Sequence, residues 1–256
     1  MRDPHVTRLF FTAEPRGNIS YKTTVPPIVF HNNLGHFALR EGVLAVEPAD
    51  HFPTGDAARQ AIEPLLRAWE IESDLRREVG AIRFTFDRAE LVDRDPPPPG
   101  MPTVHSGQVV AMGMAVVSAI AHVIRGQYPA PPTAFRTTID VEAAYRRWLG
   151  YREGREPLQG MAYFVLTLIE VPAGGSKSAA KVFNISSGVL DRMGQLSAEG
   201  DAQTARKLQR GRALRPLSGE EADWLDHAVR RVIRRLGEHA SGATLPPITL
   251  KNVQDH

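Results

Sequence analysis

Residues 158–171, LQGMAYFVLTLIEV, give the strongest strand signal in the chain: a run of apolar, β-branched and aromatic residues that leads into PAGGSKSAA (172–180) and then KVFNI (181–185). Two apolar β-type runs joined by a Gly-rich loop predict a hairpin. On that reading the sheet extends to residue 185, and a helical subregion begins at 186. The fold class and the internal boundary both depend on this stretch.

Working outward toward the N-terminus, TAFRTTIDV (133–141) reads as a strand and EAAYRRWLGY (142–151) as a short helix. Before them lie two Pro-rich connectors, GQYPAPP (126–132) and RDPPPPGMP (94–102). Consecutive prolines favour a stiff extended segment, so 94–102 marks a break in the substructure. Between the connectors runs VVAMGMAVVSAIAHVI (109–124), sixteen residues that include His122. That is short of the roughly 20 residues a bilayer span needs, and it reads as a buried element.

In the N-terminal third, VTRLFFTAE (6–14) has strand composition, and HFALREGVLAVEP (36–48) predicts a hairpin turning at Glu41-Gly42. A helix follows in PTGDAARQAIEPLLRAWEIESDLRREVG (53–80). Thr54 is its expected N-cap, Asp56 sits in its first turn, and Ile62, Leu65, Leu66 and Trp69 form its apolar stripe. Pro64 is expected to kink it and Gly80 to end it. Ile82, Phe84 and Phe86 alternate with the period of a strand buried on one face.

From Ser186 onward the spacing is helical, most clearly in SGEEADWLDHAVRRVIRRLGEHASG (218–242). There Ser218 and Glu221 form a capping box, and Leu225, Val229, Val232 and Leu236 supply the buried stripe. The elements together predict an α+β protein with a mixed or mainly antiparallel sheet and packed helices in residues 1–185. A helical C-terminal subregion, 186–256, is expected to pack on the same core.

Composition narrows the chemistry. The chain has 256 residues and no cysteine, which removes disulfides, thiolate nucleophiles and Cys-ligated metal centres. Hydrophobic residues make up 42% and charged residues 23%, values of an ordinary globular chain, and the net charge is only +2. The first residues carry no apolar core of signal-peptide length, so the expected compartment is the cytoplasm, with no membrane role.

Several stretches invite a chemical reading. TARKLQRGRALRP (204–216) gathers Arg206, Lys207, Arg210, Arg212 and Arg215 with no acid among them. Together with Arg231 and Arg234 on the last helix they form a candidate basic docking surface for an acidic protein partner. With no aromatic interleaved, nucleic acid is the weaker match. His31, His36, Asp50 and His51 are the candidate ligands of a divalent metal that would lower the pKa of a bound water. Five residues from His31 to His36 is neither a helical nor a strand spacing, so nothing local brings them together.

Three other patterns fall short. In AGGSKSAA, Lys177 lacks the glycine register of a phosphate loop. His105 and Ser106 are adjacent, the wrong geometry for a nucleophile and its base, and Ser106 reads as a helix cap. Arg234 and His239 have the Arg-x4-His spacing of some helical ribonucleases, but a chain with 26 Arg and nine His yields roughly three such pairs by chance.

The sequence therefore points to a cytoplasmic binding or assembly protein without catalysis or cofactor, possessing a basic docking surface and serving as a complex subunit. The alternatives are a metal-assisted hydrolase or nuclease acting on an anionic substrate, and a sequence-nonspecific nucleic-acid binder.

Overall fold

The computed structural model describes residues 3–22, 24–77, 79–95, 123–198, 216–244 and 246–254. The apolar run at 109–122, most of the 94–102 connector, the His105-Ser106 pair and the basic run at 206–215 lie outside the described residues. The fold is α+β, and the chain divides into two compact units, Met1–Pro131 and Pro132–His256. The division falls in the second Pro-rich connector. The expected boundary at residue 185 lies within the second unit.

The first unit is built on a five-stranded antiparallel sheet. Its strands are β1 (Pro4–Glu14), β3 (Ile28–Asn32), β4 (Gly35–Arg40), β5 (Val43–Pro48) and β6 (Arg83–Asp93), in the order β3-β4-β5-β1-β6. Two short strands, β2 (Ile19–Tyr21) and β7 (Val123–Arg125), pair in parallel beside it. The β4–β5 turn is where the sequence places it: Glu41 and Gly42 both have positive φ, at 50° and 78°. That is the backbone a two-residue hairpin loop demands.

Helix α1 (Gly55–Arg76) lies on one face of this sheet. Thr54 caps it by accepting from the Ala57 amide at 3.2 Å. The helix runs through Pro64 as one element and stops at Arg76, short of Gly80. Gly80 instead donates its amide to Asp74 at 2.9 Å. Ala58, Ile62, Leu66 and Trp69 of α1 meet Val6, Leu9, Phe11, Phe37, Leu39, Leu44 and Val46 of the sheet in one core. Each Val, Leu, Ile or Phe among them contributes about 1.5–3 kcal/mol by leaving water.

The regular secondary structure among the described residues of the second unit is helical, apart from an isolated bridge between Ile185 and Ile248. Its helices are α2 (Ile139–Arg152), α3 (Leu158–Ala173), α4 (Ser176–Val182), α5 (Ser187–Ala198) and α6 (Gly219–Ala240). The expected 158–185 hairpin is absent, because LQGMAYFVLTLIEV forms α3. Leu158, Met161, Ala162, Val165, Leu166 and Ile169 are buried there, the i, i+3, i+4 repeat of a helix rather than the alternation of a strand. Gly174 ends α3 in the left-handed region at φ 81°, and Gly175 leads directly into α4. The expected strand at 133–141 is likewise replaced, since Thr138 caps α2 by accepting from the Val141 amide. At α6 the predicted capping box is present: Ser218 Oγ accepts from Glu221 N, and Glu221 Oε2 from Ser218 N.

Candidate docking site

Two features of the first unit carry exposed chemistry: the sheet face that α1 leaves uncovered, and the outer edge of β6. The register aligns one residue from each strand in a row across the uncovered face. His31 of β3 faces His36 of β4, His36 faces Glu47 of β5, and Arg8 of β1 faces Glu90 of β6. Arg8 bridges the two acids. Its Nη2 lies 2.5 Å from Glu47 Oε1, and its Nη1 lies 4.0 Å from Glu90 Oε2. His36 Nδ1 stands 3.5 Å from Glu47 Oε2. The guanidinium beside Glu47 holds its carboxyl below the usual carboxylate range, with His36 adding to the effect, and Arg8 is raised in return. The next row is apolar at its centre: Ala38, Ala45 and Phe10, with the Arg88 guanidinium 3.9 Å over the Phe10 ring.

At the edge, the direction of the β6 amides follows from two hydrogen bonds. Ala13 turns its amide to Gly42 at 2.7 Å, on the β5 side of β1. Phe84, opposite Ala13, therefore points its amide away from β1, where Glu70 Oε1 accepts it at 2.8 Å. Strand alternation sends the amides of Phe86 and, beyond the bulge near Asp87, of Ala89 and Leu91 to the same outer side. Beneath that edge, between β6 and α1, opens a cavity of about 310 Å³ lined by Phe11, Phe84, Phe86 and Leu66 with Glu63, Arg67 and Glu70. Arg67 Nη1 donates to Glu70 Oε2 at 3.0 Å, and Arg59 reaches over the Phe86 ring at 5.3 Å. None of these residues was singled out from the sequence as a site. In the sequence Leu66 belongs to the α1 stripe and Phe84 and Phe86 to a half-buried strand, while Glu63, Arg67 and Glu70 carry no assigned role.

The residues expected to form a site are distributed differently. His31 and His36 do come together: the β3–β4 hairpin stacks their rings with centroids 4.3 Å apart. The expected four-ligand metal centre does not form, because His51 pairs with His5 (Nδ1 to Nδ1, 2.9 Å) and Asp50 is exposed elsewhere. Arg94 Nη1 also lies 3.1 Å from His51 Nδ1. A guanidinium can only donate, so His51 Nδ1 is the acceptor and His5 the donor. Among the described residues no three His, Asp or Glu side chains group to hold a metal ion.

Arg231 and Arg234, expected on the docking surface, turn inward. Arg234 is 5% exposed, and its Nη2 donates to Glu238 Oε1 at 3.1 Å. Arg231 lies 3.8 Å from the same carboxylate. Arg235 is 2% exposed; it donates to Glu238 Oε2 and to the carbonyls of Phe183, Asn184 and Pro246. Burial lowers its pKa from the ordinary arginine value. His239 is exposed on the same helix, its ring against Phe183, while Arg234 serves Glu238, so the Arg-x4-His spacing forms no joint site. The stretch once weighed as a phosphate loop is the α3–α4 joint.

Comparison with protein families, with curated proteins and with solved structures finds no match to this chain. Among the described residues no helix is long and apolar enough to cross a membrane.

Proposed function

We propose that the protein is a binding or assembly component of a larger complex that holds an extended segment of a partner polypeptide along β6. The observation that supports this is the coincidence of the outward-turned β6 amides with the mouth of the Phe11/Leu66/Phe84/Phe86 cavity. A strand added to a sheet edge gains main-chain hydrogen bonds, and every second side chain points to one face. Here that face is the one beneath which the cavity opens. Its volume suits one aliphatic or aromatic side chain of the incoming segment.

The charges at this edge are matched within the chain, Arg88 with Asp87, Arg67 with Glu70 and Arg59 with Glu63, so the apolar cavity carries the fit. An extended polypeptide segment with one apolar anchor is the occupant of best fit. The docking surface is thereby moved from the α6 arginines, which are occupied internally, to the sheet of the first unit.

The test uses the full chain against a library of extended peptides, with amide exchange as the structural readout. Selected peptides should share an apolar anchor and should slow exchange at Phe86, Ala89 and Leu91. Ala89→Pro removes an edge donor at a position where proline is tolerated, and should abolish binding while leaving the helical circular dichroism intact. Peptide binding that survives Ala89→Pro, with no protection along β6, would overturn the proposal. So would concentration-dependent dimerisation through β6, which makes a second copy the occupant.

A further inference from the structure

We infer that the β3–β4 hairpin is a two-histidine site for a borderline divalent cation, Cu²⁺ first and Ni²⁺ or Zn²⁺ after it. The inference goes beyond the peptide-docking reading and is independent of it, because β3 and β6 are the two opposite ends of the sheet order.

The hairpin geometry places the two ligands. Asn32 pairs with Gly35 across a two-residue loop, so His31 and His36 form the next pair. In an antiparallel ladder hydrogen-bonded and non-hydrogen-bonded pairs alternate, and the pair adjoining the closing one is the non-hydrogen-bonded kind, whose side chains approach most closely. The rings accordingly stack at 4.3 Å with 17° between their planes. Two imidazole nitrogens bound cis to one metal at about 2.0–2.1 Å stand about 3 Å apart with the metal in both ring planes, so rotation about the χ angles that opens the stack brings this already adjacent pair into ligating position. The loop depends on Gly35, whose φ is 147° and where a Cβ would overlap the Glu47 carbonyl. Hence the register that pairs the histidines is fixed.

The surroundings supply orientation. His36 Nδ1 faces the Glu47 carboxylate at 3.5 Å, and Glu47 is itself held by Arg8. Ligating histidines usually donate their second ring N–H to a carboxylate, which fixes the tautomer and frees the other nitrogen. That nitrogen is Nε2 of His36, and Glu47 is its positioning residue. Both rings belong to the uncovered face of the sheet, where water can complete the coordination, and imidazole donors suit Cu²⁺, Ni²⁺ and Zn²⁺ in the order of their general affinities. His5 and His51 are an internal contrast: their facing nitrogens are used by each other and by Arg94.

The experiment titrates the full, untagged chain with Cu²⁺ and reads the electron paramagnetic resonance spectrum, then repeats the titration calorimetrically with Ni²⁺ and Zn²⁺. The expected result is one equivalent of Cu²⁺ with hyperfine coupling from two imidazole nitrogens. His31→Ala and His36→Ala should each remove that signal, while the His5→Ala/His51→Ala double variant keeps it. Glu47→Gln should retain the stoichiometry and weaken affinity roughly tenfold, as loss of an outer carboxylate does. The substituted histidines stand on an uncovered face, and an unchanged far-UV spectrum establishes that the variants fold. An unaltered Cu²⁺ signal in the His31→Ala/His36→Ala double variant would overturn the assignment, as would a native chain that binds no equivalent. Peptide capture at β6 should be unaffected by these variants, which separates failure of this inference from failure of the docking proposal.

Discussion

Replacing Arg235 with methionine tests whether the α6 arginines serve the fold or a partner. Methionine keeps most of the aliphatic stem and removes the guanidinium fork. That fork makes four hydrogen bonds: to Glu238 Oε2 at 3.0 Å, to Phe183 O at 2.8 Å, to Asn184 O at 3.2 Å and to Pro246 O at 2.7 Å. The gross loss is large, since hydrogen bonds involving a charged group contribute about 1.5–3 kcal/mol each. The desolvation that lowers the Arg235 pKa is relieved at the same time, and Glu238 keeps Arg234 and Arg231 as counter-charges. The three carbonyls of Phe183, Asn184 and Pro246 lose their guanidinium donor, at about 1–3 kcal/mol each before relaxation, so the net expectation is about 3–5 kcal/mol. Set against a whole-domain stability of about 5–15 kcal/mol, that leaves the second unit marginal. Urea unfolding followed by helical circular dichroism measures it, with Arg231→Met as the comparison. Arg231 touches Glu238 only at 3.8 Å, so its loss should cost about 1 kcal/mol or less. A variant Arg235→Met within about 1 kcal/mol of the native chain, or an Arg231→Met as damaging as Arg235→Met, would refute the reasoning.

Two further outcomes are expected. Burial pushes the Tyr21 hydroxyl up from 10.0 to about 12, and the hydroxyl donates to Ala81 O at 2.5 Å. A raised folded-state pKa gives stability that is complete below pH 10 and lost as the pH climbs toward about 12. Because Tyr21 is partly exposed, the full shift is discounted to roughly 1 kcal/mol. The stability advantage of the native chain over Tyr21→Phe should shrink by that amount between pH 10 and pH 12 in thermal melts, and a constant difference would contradict it. For the basic run, charge reversal at Arg206, Arg210 and Arg212 should leave peptide capture at β6 unchanged. If the run instead holds nucleic acid, the same variant should weaken that binding and flatten its salt dependence, read by fluorescence anisotropy at several salt concentrations.

How much of this was legible in the sequence depends on whether the signal was local. The Glu41-Gly42 turn, the Thr54 cap, the α1 stripe and the Ser218/Glu221 capping box are written in residues close together in the chain, and each appears in the structure. LQGMAYFVLTLIEV misled because composition was weighed above period. Met161, Ala162, Val165, Leu166 and Ile169 already spell the helical repeat on the face that packs against neighbouring helices, but Tyr163, Thr167 and Val171 on the exposed face are aromatic or β-branched rather than charged. A helix whose exposed face carries such residues lacks the charged stripe that separates it from a buried strand. Once α3 was misread, the Gly174-Gly175 joint between two helices became a hairpin loop, and the boundary moved to 185.

The site was hidden for a different reason. His31 and His36 lie five apart in the chain, a spacing that brings nothing together on a helix or along one strand; they meet because a two-residue loop sits between them and sets the register. The rows across the sheet are more remote still, since Arg8, Glu47 and Glu90 become neighbours only through the strand order β5-β1-β6, which no local pattern encodes. The arginines of α6 show the converse. Their spacing from the acids of the same helix was legible, yet which of them would be buried depended on where Phe183, Asn184 and Pro246 present their carbonyls. Charge on a helix is therefore a statement about partners, and the sequence alone cannot say whether those partners are inside the fold or outside it. For Arg234 and Arg235 they are inside, so the burial of these two side chains speaks for the fold and against a docking role on α6.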